Sequence, residues 1–159
     1  GISWHNWFLE PWQNDLLAFT THLIRIRQEH KVFQRSGYLK GEKVDYVNVP
    51  DIAWFNHDAT EFTSENWESP DTRAIGMYLA GAISDGINID VVDNGFYYFL
   101  NSGSEPITVT LPSGQYASSY RLMFNTADER DWEKHDHIEP GSTIELKPWS
   151  SALWMITAR

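Results

Sequence analysis

Cysteine is absent from this chain of 159 residues. That omission excludes disulfides, thiolate metal sites and cysteine nucleophiles together, and it suits a reducing cytoplasm. Cations are scarce: 12 Lys plus Arg stand against 22 Asp plus Glu, for a formal charge of −10. Holding a phosphate backbone takes clustered cations, so nucleic acid is not an expected partner. An acidic surface of this kind serves chiefly solubility. No apolar run approaches the ~20 residues of a membrane helix, and no signal-peptide pattern opens the chain. A membrane is therefore not an expected partner, and the expected location is the cytoplasm. An initiator methionine is missing too: the text opens at Gly1 among tryptophans, which reads as a piece cut from a longer protein.

Aromatic residues are what the chain has in plenty, with eight Trp, eight Phe and seven Tyr. Each large aromatic buries about 150–250 Å², so most belong in a core and a minority are free to stack on a ligand. The length fits one domain, or one domain plus a piece of another.

One long helix is legible. From Asn14 as N-cap, DLLAFTTHLIRIRQEH sets Leu16, Leu17, Phe19, Thr20, Leu23, Ile24 and Arg27 near one stripe. Asp15 lies at the positive end of the helix, and Arg25, Arg27 and His30 lie near the negative end. No second long helix follows to cover that stripe. Seven strands are predicted instead: DIAWFN, TRAIGMYLAG, GFYYFLNSG, EPITVTLP, SYRLMFNT, STIELKP and SALWMITAR. In EPITVTLP a period of two sets Ile107, Val109 and Leu111 on one face. Turns at Asp93-Asn94-Gly95, Pro112-Ser113-Gly114 and Glu139-Pro140-Gly141 separate the strands. Strands at this spacing make an antiparallel β-sandwich.

Candidates for chemistry are few. Glycoside hydrolysis uses two carboxylates across one bond, and Asp51, Asp58, Glu61, Glu65, Glu68, Asp71, Asp128, Glu129 and Asp131 supply the residue type. They cluster in polar loops rather than at the ends of apolar strands, and read as solvated. His135 and His137 form a His-x-His pair that would point both imidazoles one way if it lay on a strand, but an exposed, charged connection is the plainer reading. No Gly-x-Ser-x-Gly elbow and no phosphate-cradling glycine loop occur. No catalytic residue, metal site or cofactor is assigned to the chain. Trp54, Trp149 and Trp154 fall in strands or at strand ends, where core packing is expected. Trp67 is expected to pin its loop to the sandwich. Trp4 and Trp7, with His5 between them, precede the helix and have no evident core waiting, so Trp4, His5 and Trp7 are the candidate substrate-binding residues.

Several of these stretches together resemble a known family. ISWHNW, the helix LLAFTTHLIRIRQEHKVFQR and the stretch DIAWFNHDATEFTSENWESPDTRAIGMYLAG resemble the isoamylase-type glycogen debranching enzymes of the α-amylase superfamily, glycoside hydrolase family 13. GFYYFLNSGSEPITVTLP is similar to the same family's terminal region. The match runs from about residue 2 to the end, and weakens over 82–94 and 115–140. Where relatives often have His-Pro-Val-Phe after the helix, this chain has His30-Lys31-Val32-Phe33, so a less sharply defined helix end is expected.

The resemblance implies a fold and a role. Residues 1–35 would be the last loop and last helix of a (β/α)8 catalytic barrel, and residues 37–159 a C-terminal antiparallel β-sandwich. The helix stripe would find its partner in the absent barrel, and the sandwich is expected to fold without residues 1 to 30. The family's catalytic carboxylates would all lie upstream, so this chain would be a non-catalytic portion of an enzyme that hydrolyses α-1,6 branch linkages in glycogen or limit dextrins. Barrel active sites form from the loops at the strands' C-terminal ends, which would put Trp4, His5 and Trp7 beside branched α-glucan. The uncovered stripe also invites a non-native dimer through the helix. A stand-alone α-glucan-binding module is the alternative, and the helix, which such a module does not need, is the feature that separates the two.

Overall fold

The computed structural model describes residues 7–44, 48–84, 89–128 and 136–157. Chain order opens with α1 (Pro11–Glu29) and a 3-10 turn (Lys31–Gln34). It continues through β1 (Lys43–Val44), β2 (Val49–Pro50), β3 (Ile52–Phe55), α2 (Ser64–Glu68), β4 (Ala74–Leu79), β5 (Ala82–Ser84) and β6 (Ile89–Val92). It ends with β7 (Gly95–Asn101), β8 (Ile107–Thr110), β9 (Ser119–Asn125), β10 (His137–Ile138), β11 (Thr143–Leu146) and β12 (Ser150–Thr157). The protein is mainly β and antiparallel with one long helix. Each of the seven predicted strands is present as β3, β4, β7, β8, β9, β11 or β12.

Six strands form the main sheet in the order β10-β9-β12-β7-β4-β3. Its central members are apolar on both faces, because their sequences are continuous apolar runs rather than alternations. In β12, Ala152, Trp154 and Ile156 join one buried cluster, while Leu153 and Met155 join another. In β7, Tyr97 and Phe99 face the first cluster and Phe96 the second. The antiparallel pair β8–β11, non-consecutive in the chain, closes over the first face with Val109, Leu146 and the adjoining Leu111, and this completes the sandwich. The face expected for Ile107, Val109 and Leu111 is the one that packs. Gly76 in β4 is required there: a Cβ at that position would lie 2.3 Å from the Tyr97 hydroxyl oxygen.

The second face is covered by α1. Phe19, Leu23 and Ile26 of the helix, then Val32 and Phe33, pack on Phe96, Phe124, Leu153 and Met155. At 100° per residue, positions 19, 22, 23, 26 and 30 fall within one arc of the helix. His22 adds a polar tie from that arc. The register of β9 against β12 shifts between Leu153 and Trp154 and leaves Met123 outside the ladder. The His22 Nε2 donates to the Met123 carbonyl at 2.7 Å. The helix stripe, expected to lack any partner in this chain, thus has one in the sheet. The other half of the expected stripe, Leu16, Leu17 and Ile24, stays exposed. Two apolar arcs, not one, share this helix.

The helix also begins earlier than expected, at Pro11 rather than after Asn14. Proline suits the first helical position, where its missing N–H has no intrahelical partner to lose. Gln13 Oε1 accepts the Glu10 N–H at 2.8 Å, and the Asn14 side chain donates to the Leu9 and Glu10 carbonyls at 3.3 and 3.2 Å. Asn14 therefore works inside the first turn instead of capping it. The far end is sharply defined despite the missing proline. His30 is extended, with φ of −113°, and its Nδ1 lies 3.0 Å from Asp93 Oδ1. Asp93 Oδ2 accepts the Val32 N–H at 3.2 Å, and Oδ1 accepts the Asn94 N–H at 2.7 Å. The His30 ring stands edge-on to Phe96 at 4.8 Å. This staple ties the end of the helix to the start of β7.

Three outcomes follow from this packing. Ile26 is 4% exposed and Ile24 is 52% exposed. Urea denaturation should show Ile26→Ala losing about 2–4 kcal/mol and Ile24→Ala losing under ~1 kcal/mol. Removing residues 1–30 should abolish the cooperative thermal transition of the sheet in calorimetry, because the face of Phe124, Leu153 and Met155 would lose the cover of Phe19, Leu23 and Ile26. The earlier expectation that the sandwich folds without them is opposed by this packing. Burial alone would raise the Asp93 carboxyl, but the His30, Val32 and Asn94 hydrogen bonds and the His30 charge outweigh it and hold Asp93 below the usual value. A folded-state value below the unfolded one, about 3.9, gives stability that is present above that pH and lost as pH falls through the folded value. Unfolding free energy should therefore drop between pH 5 and pH 3. Asp93→Asn should start roughly 1.5–3 kcal/mol lower and fall less steeply over the same range.

Candidate functional site

Several carboxylates on the described surface are held by local hydrogen bonds or pairings. Asp51 accepts the Lys40 and Gly41 N–H groups at 2.9 and 2.8 Å. Asp58 accepts the Thr60 hydroxyl at 2.6 Å and its N–H at 3.0 Å, and these Thr60 bonds hold its pKa below the ordinary value. Glu61 accepts the Tyr116 hydroxyl. Asp128 pairs with Lys147 and accepts from Asn125. Glu65, Glu68 and Asp71 are exposed around α2, and Glu129 and Asp131 lie outside the described residues. Where a carboxylate's pKa departs from the ordinary value here, it departs downward, whereas a general acid at neutral pH needs it raised.

Of the His-x-His pair, His135 lies outside the described residues. His137 is exposed in β10, with its Nδ1 3.1 Å from the Ser119 hydroxyl oxygen. Among the described residues no group of three His, Asp or Glu is placed to hold a metal ion. A shallow groove beside the last turns of α1 is lined by Ile24, Arg27, Gln28, Gln34 and Arg35. Its cations serve the fold: Arg27 donates to the Phe33 carbonyl at 2.9 Å, and Arg35 donates to the Ala80 and Ala82 carbonyls at 2.6 and 3.1 Å.

The candidate binding residues divide. Trp4 and His5 lie outside the described residues. Trp7 is described, four positions before the helix, and is 82% exposed. The stretch DIAWFNHDATEFTSENW is a strand and a loop held by aromatic contacts. Trp67 stands edge-on to Trp54 at 5.4 Å and to Phe62 at 5.0 Å, and Asn56 Nδ2 reaches Asn66 Oδ1 at 3.2 Å. Trp67 pins its loop as expected. Trp154, expected in the core, is there.

Trp149 departs from expectation. It is 72% exposed and sits in the turn before β12 rather than in the core. Its φ of 53° is left-handed, a conformation costing roughly 1–2 kcal/mol for a residue with a Cβ. Asn101, itself buried, fixes the turn by donating to the Lys147 and Glu105 carbonyls at 3.0 and 2.9 Å. The Trp149 N–H donates to the Gly103 carbonyl at 3.2 Å. The Ser150 hydroxyl donates to the Lys147 carbonyl at 2.6 Å. One signal in the sequence points to this outcome: Pro148 marks a turn directly before the tryptophan.

No family model matches the chain. Over 131 residues, 80% of its length, it is 32% identical to the "Glycogen operon protein GlgX homolog" of Mycobacterium bovis. The homologs of the same name in two Mycobacterium tuberculosis strains match over the same share at the same identity. The chain spans 18% of the length of these curated relatives. A crystal structure of pullulanase complexed with maltotetraose from Anoxybacillus sp. LM18-11 superposes with a TM-score of 0.45 and 12% identity, covering 86% of this chain and 14% of that one. Among the described residues no helix is long and apolar enough to cross a membrane.

Proposed function

We propose that this chain, a relative of the debranching enzymes of glycoside hydrolase family 13, is the non-catalytic C-terminal portion of an isoamylase-type glycogen debranching enzyme acting in the cytoplasm. The whole enzyme would hydrolyse α-1,6 branch linkages in glycogen or limit dextrins by a retaining mechanism with two carboxylates, both on a barrel outside this chain. The observation that carries the reading is the match itself: it takes in 80% of this chain and 18% of a glycogen-operon protein.

The two-sided helix supports this reading. In the proposed enzyme, residues 1–35 close the barrel and residues 37–159 form the sandwich. The sheet takes the arc of Phe19, Leu23 and Ile26, and the arc of Leu16, Leu17 and Ile24 is left for the barrel. Exposed side chains of this size, contiguous on one helix, are what an interface between folded parts requires. Without the barrel the same arc is the surface through which two copies of the chain would associate. Trp7 stands in the loop that leads into the helix, and with Trp4 and His5 it would line the groove for branched glucan.

A second reading, a stand-alone α-glucan-binding module, draws on the packing of α1 against its own sheet. A helix that covers the chain's own core is one that a self-sufficient module does need. Affinity gel electrophoresis of the chain in glycogen tests both readings. Retardation that Trp7→Ala weakens about tenfold, the loss typical of a hot-spot aromatic, is expected if the loop keeps its share of the groove. Absence of retardation would remove the module reading and leave the chain as the structural portion of the enzyme.

A further inference from the structure

Trp149 combines two features that the fold alone does not account for. A left-handed residue following the proline of a turn is a place for Gly or Asn, yet the sequence puts its largest side chain there. That side chain remains 72% exposed, so little burial offsets the strained backbone. Strain of this kind persists where surrounding structure over-determines it, and here it does. Asn101 holds the Lys147 and Glu105 carbonyls, and Gly103 holds the Trp149 N–H. The indole is therefore offered to solvent from a fixed backbone.

We propose that Trp149 is a carbohydrate contact, its indole stacking on the apolar face of a glucosyl residue of an α-glucan. The axial C–H groups of a pyranose carry partial positive charge and meet the negative face of an aromatic ring. The ring edge of the sugar is hydroxyl-rich and needs polar neighbours. Trp149 has them: Lys147, two residues before it, pairs with Asp128, and Gly103, with Ser102 beside it, lies across the turn. A single large aromatic within a polar rim fits a sugar better than a protein partner, whose interface would extend the apolar surface. A rigid backbone also lowers the ordering cost on binding. The stacking itself follows from geometry, and the identity of the sugar rests on the reading of the chain as part of an α-glucan-acting enzyme.

The test compares the full chain with Trp149→Gly and Trp149→Phe in affinity gels containing either glycogen or hydroxyethylcellulose, with thermal unfolding of each variant. Expected is retardation by glycogen that weakens about tenfold in Trp149→Gly and is largely kept in Trp149→Phe. The Tm of Trp149→Gly should equal the parent's or exceed it by about 2–4 °C, as relief of strain implies. Retardation by glycogen that Trp149→Gly leaves unchanged overturns the inference and leaves the α-glucan reading standing. Retardation by hydroxyethylcellulose alone that depends on Trp149 keeps the stacking and removes α-glucan as the sugar. No retardation by either polymer, or a Tm lowered by more than about 4 °C in Trp149→Gly, also overturns it, the latter by making the indole part of the fold.

Discussion

The structure depends on two central strands that are apolar on both faces. β7 and β12 place Phe96, Leu153 and Met155 on one side of the sheet and Tyr97, Phe99 and Trp154 on the other. A sheet built on such strands cannot leave either side to water, since each large side chain so exposed would forfeit about 1.5–3 kcal/mol of transfer free energy. Two covers are therefore obligatory. The paired strands β8 and β11 supply one and α1 the other. The bulge at Met123 and the His30–Asp93 staple seat the helix, and the close approach at Gly76 makes room for Tyr97 and Phe99 inside the sandwich.

α1 is accordingly a member of the core and not an appendage beside it. Its inner arc packs on the sheet through half-buried Phe19 and Leu23 and buried Ile26, and Val32 in the following 3-10 turn is buried too. Its outer arc carries Leu16, Leu17 and Ile24, and the Thr20 and Thr21 hydroxyls on the same helix turn back to the Leu16 and Leu17 carbonyls at 2.8 Å. Satisfied in this way, those hydroxyls place no demand on whatever packs there. The helix thus has one apolar arc on a sheet of its own chain and a second arc open. That geometry agrees with the proposed place of the chain in a larger glycogen-debranching enzyme.

The aromatic residues show how burial sorts function from support. Tyr97, Phe99, Tyr120 and Trp154 fill the sandwich, and burial, with Tyr116 nearby, pushes the Tyr78 hydroxyl up to about 12. Trp54, Phe62 and Trp67 fasten a loop edge to face. Trp7 and Trp149 are left on the outside, the first before the helix and the second in a strained turn.

Strand positions and the fold class were legible in the order of residues, because turn chemistry and the period of an apolar run are local. EPITVTLP shows its inward face on its own, and Asp93-Asn94-Gly95 announces a turn without help. Which apolar stripe of α1 meets a partner is not local. Phe19 and Ile26 differ from Leu17 and Ile24 in no intrinsic property, and only a sheet face formed by strands some 70 to 130 positions later in the chain separates the two arcs. The same holds for Trp149, whose turn is clamped by Asn101 and Gly103 at the end of β7, nearly fifty positions earlier in the chain. By itself the sequence determined where strands and turns lie and which family the chain resembles. The tertiary structure alone decided which faces are covered, because burial belongs to pairs of surfaces and not to either one.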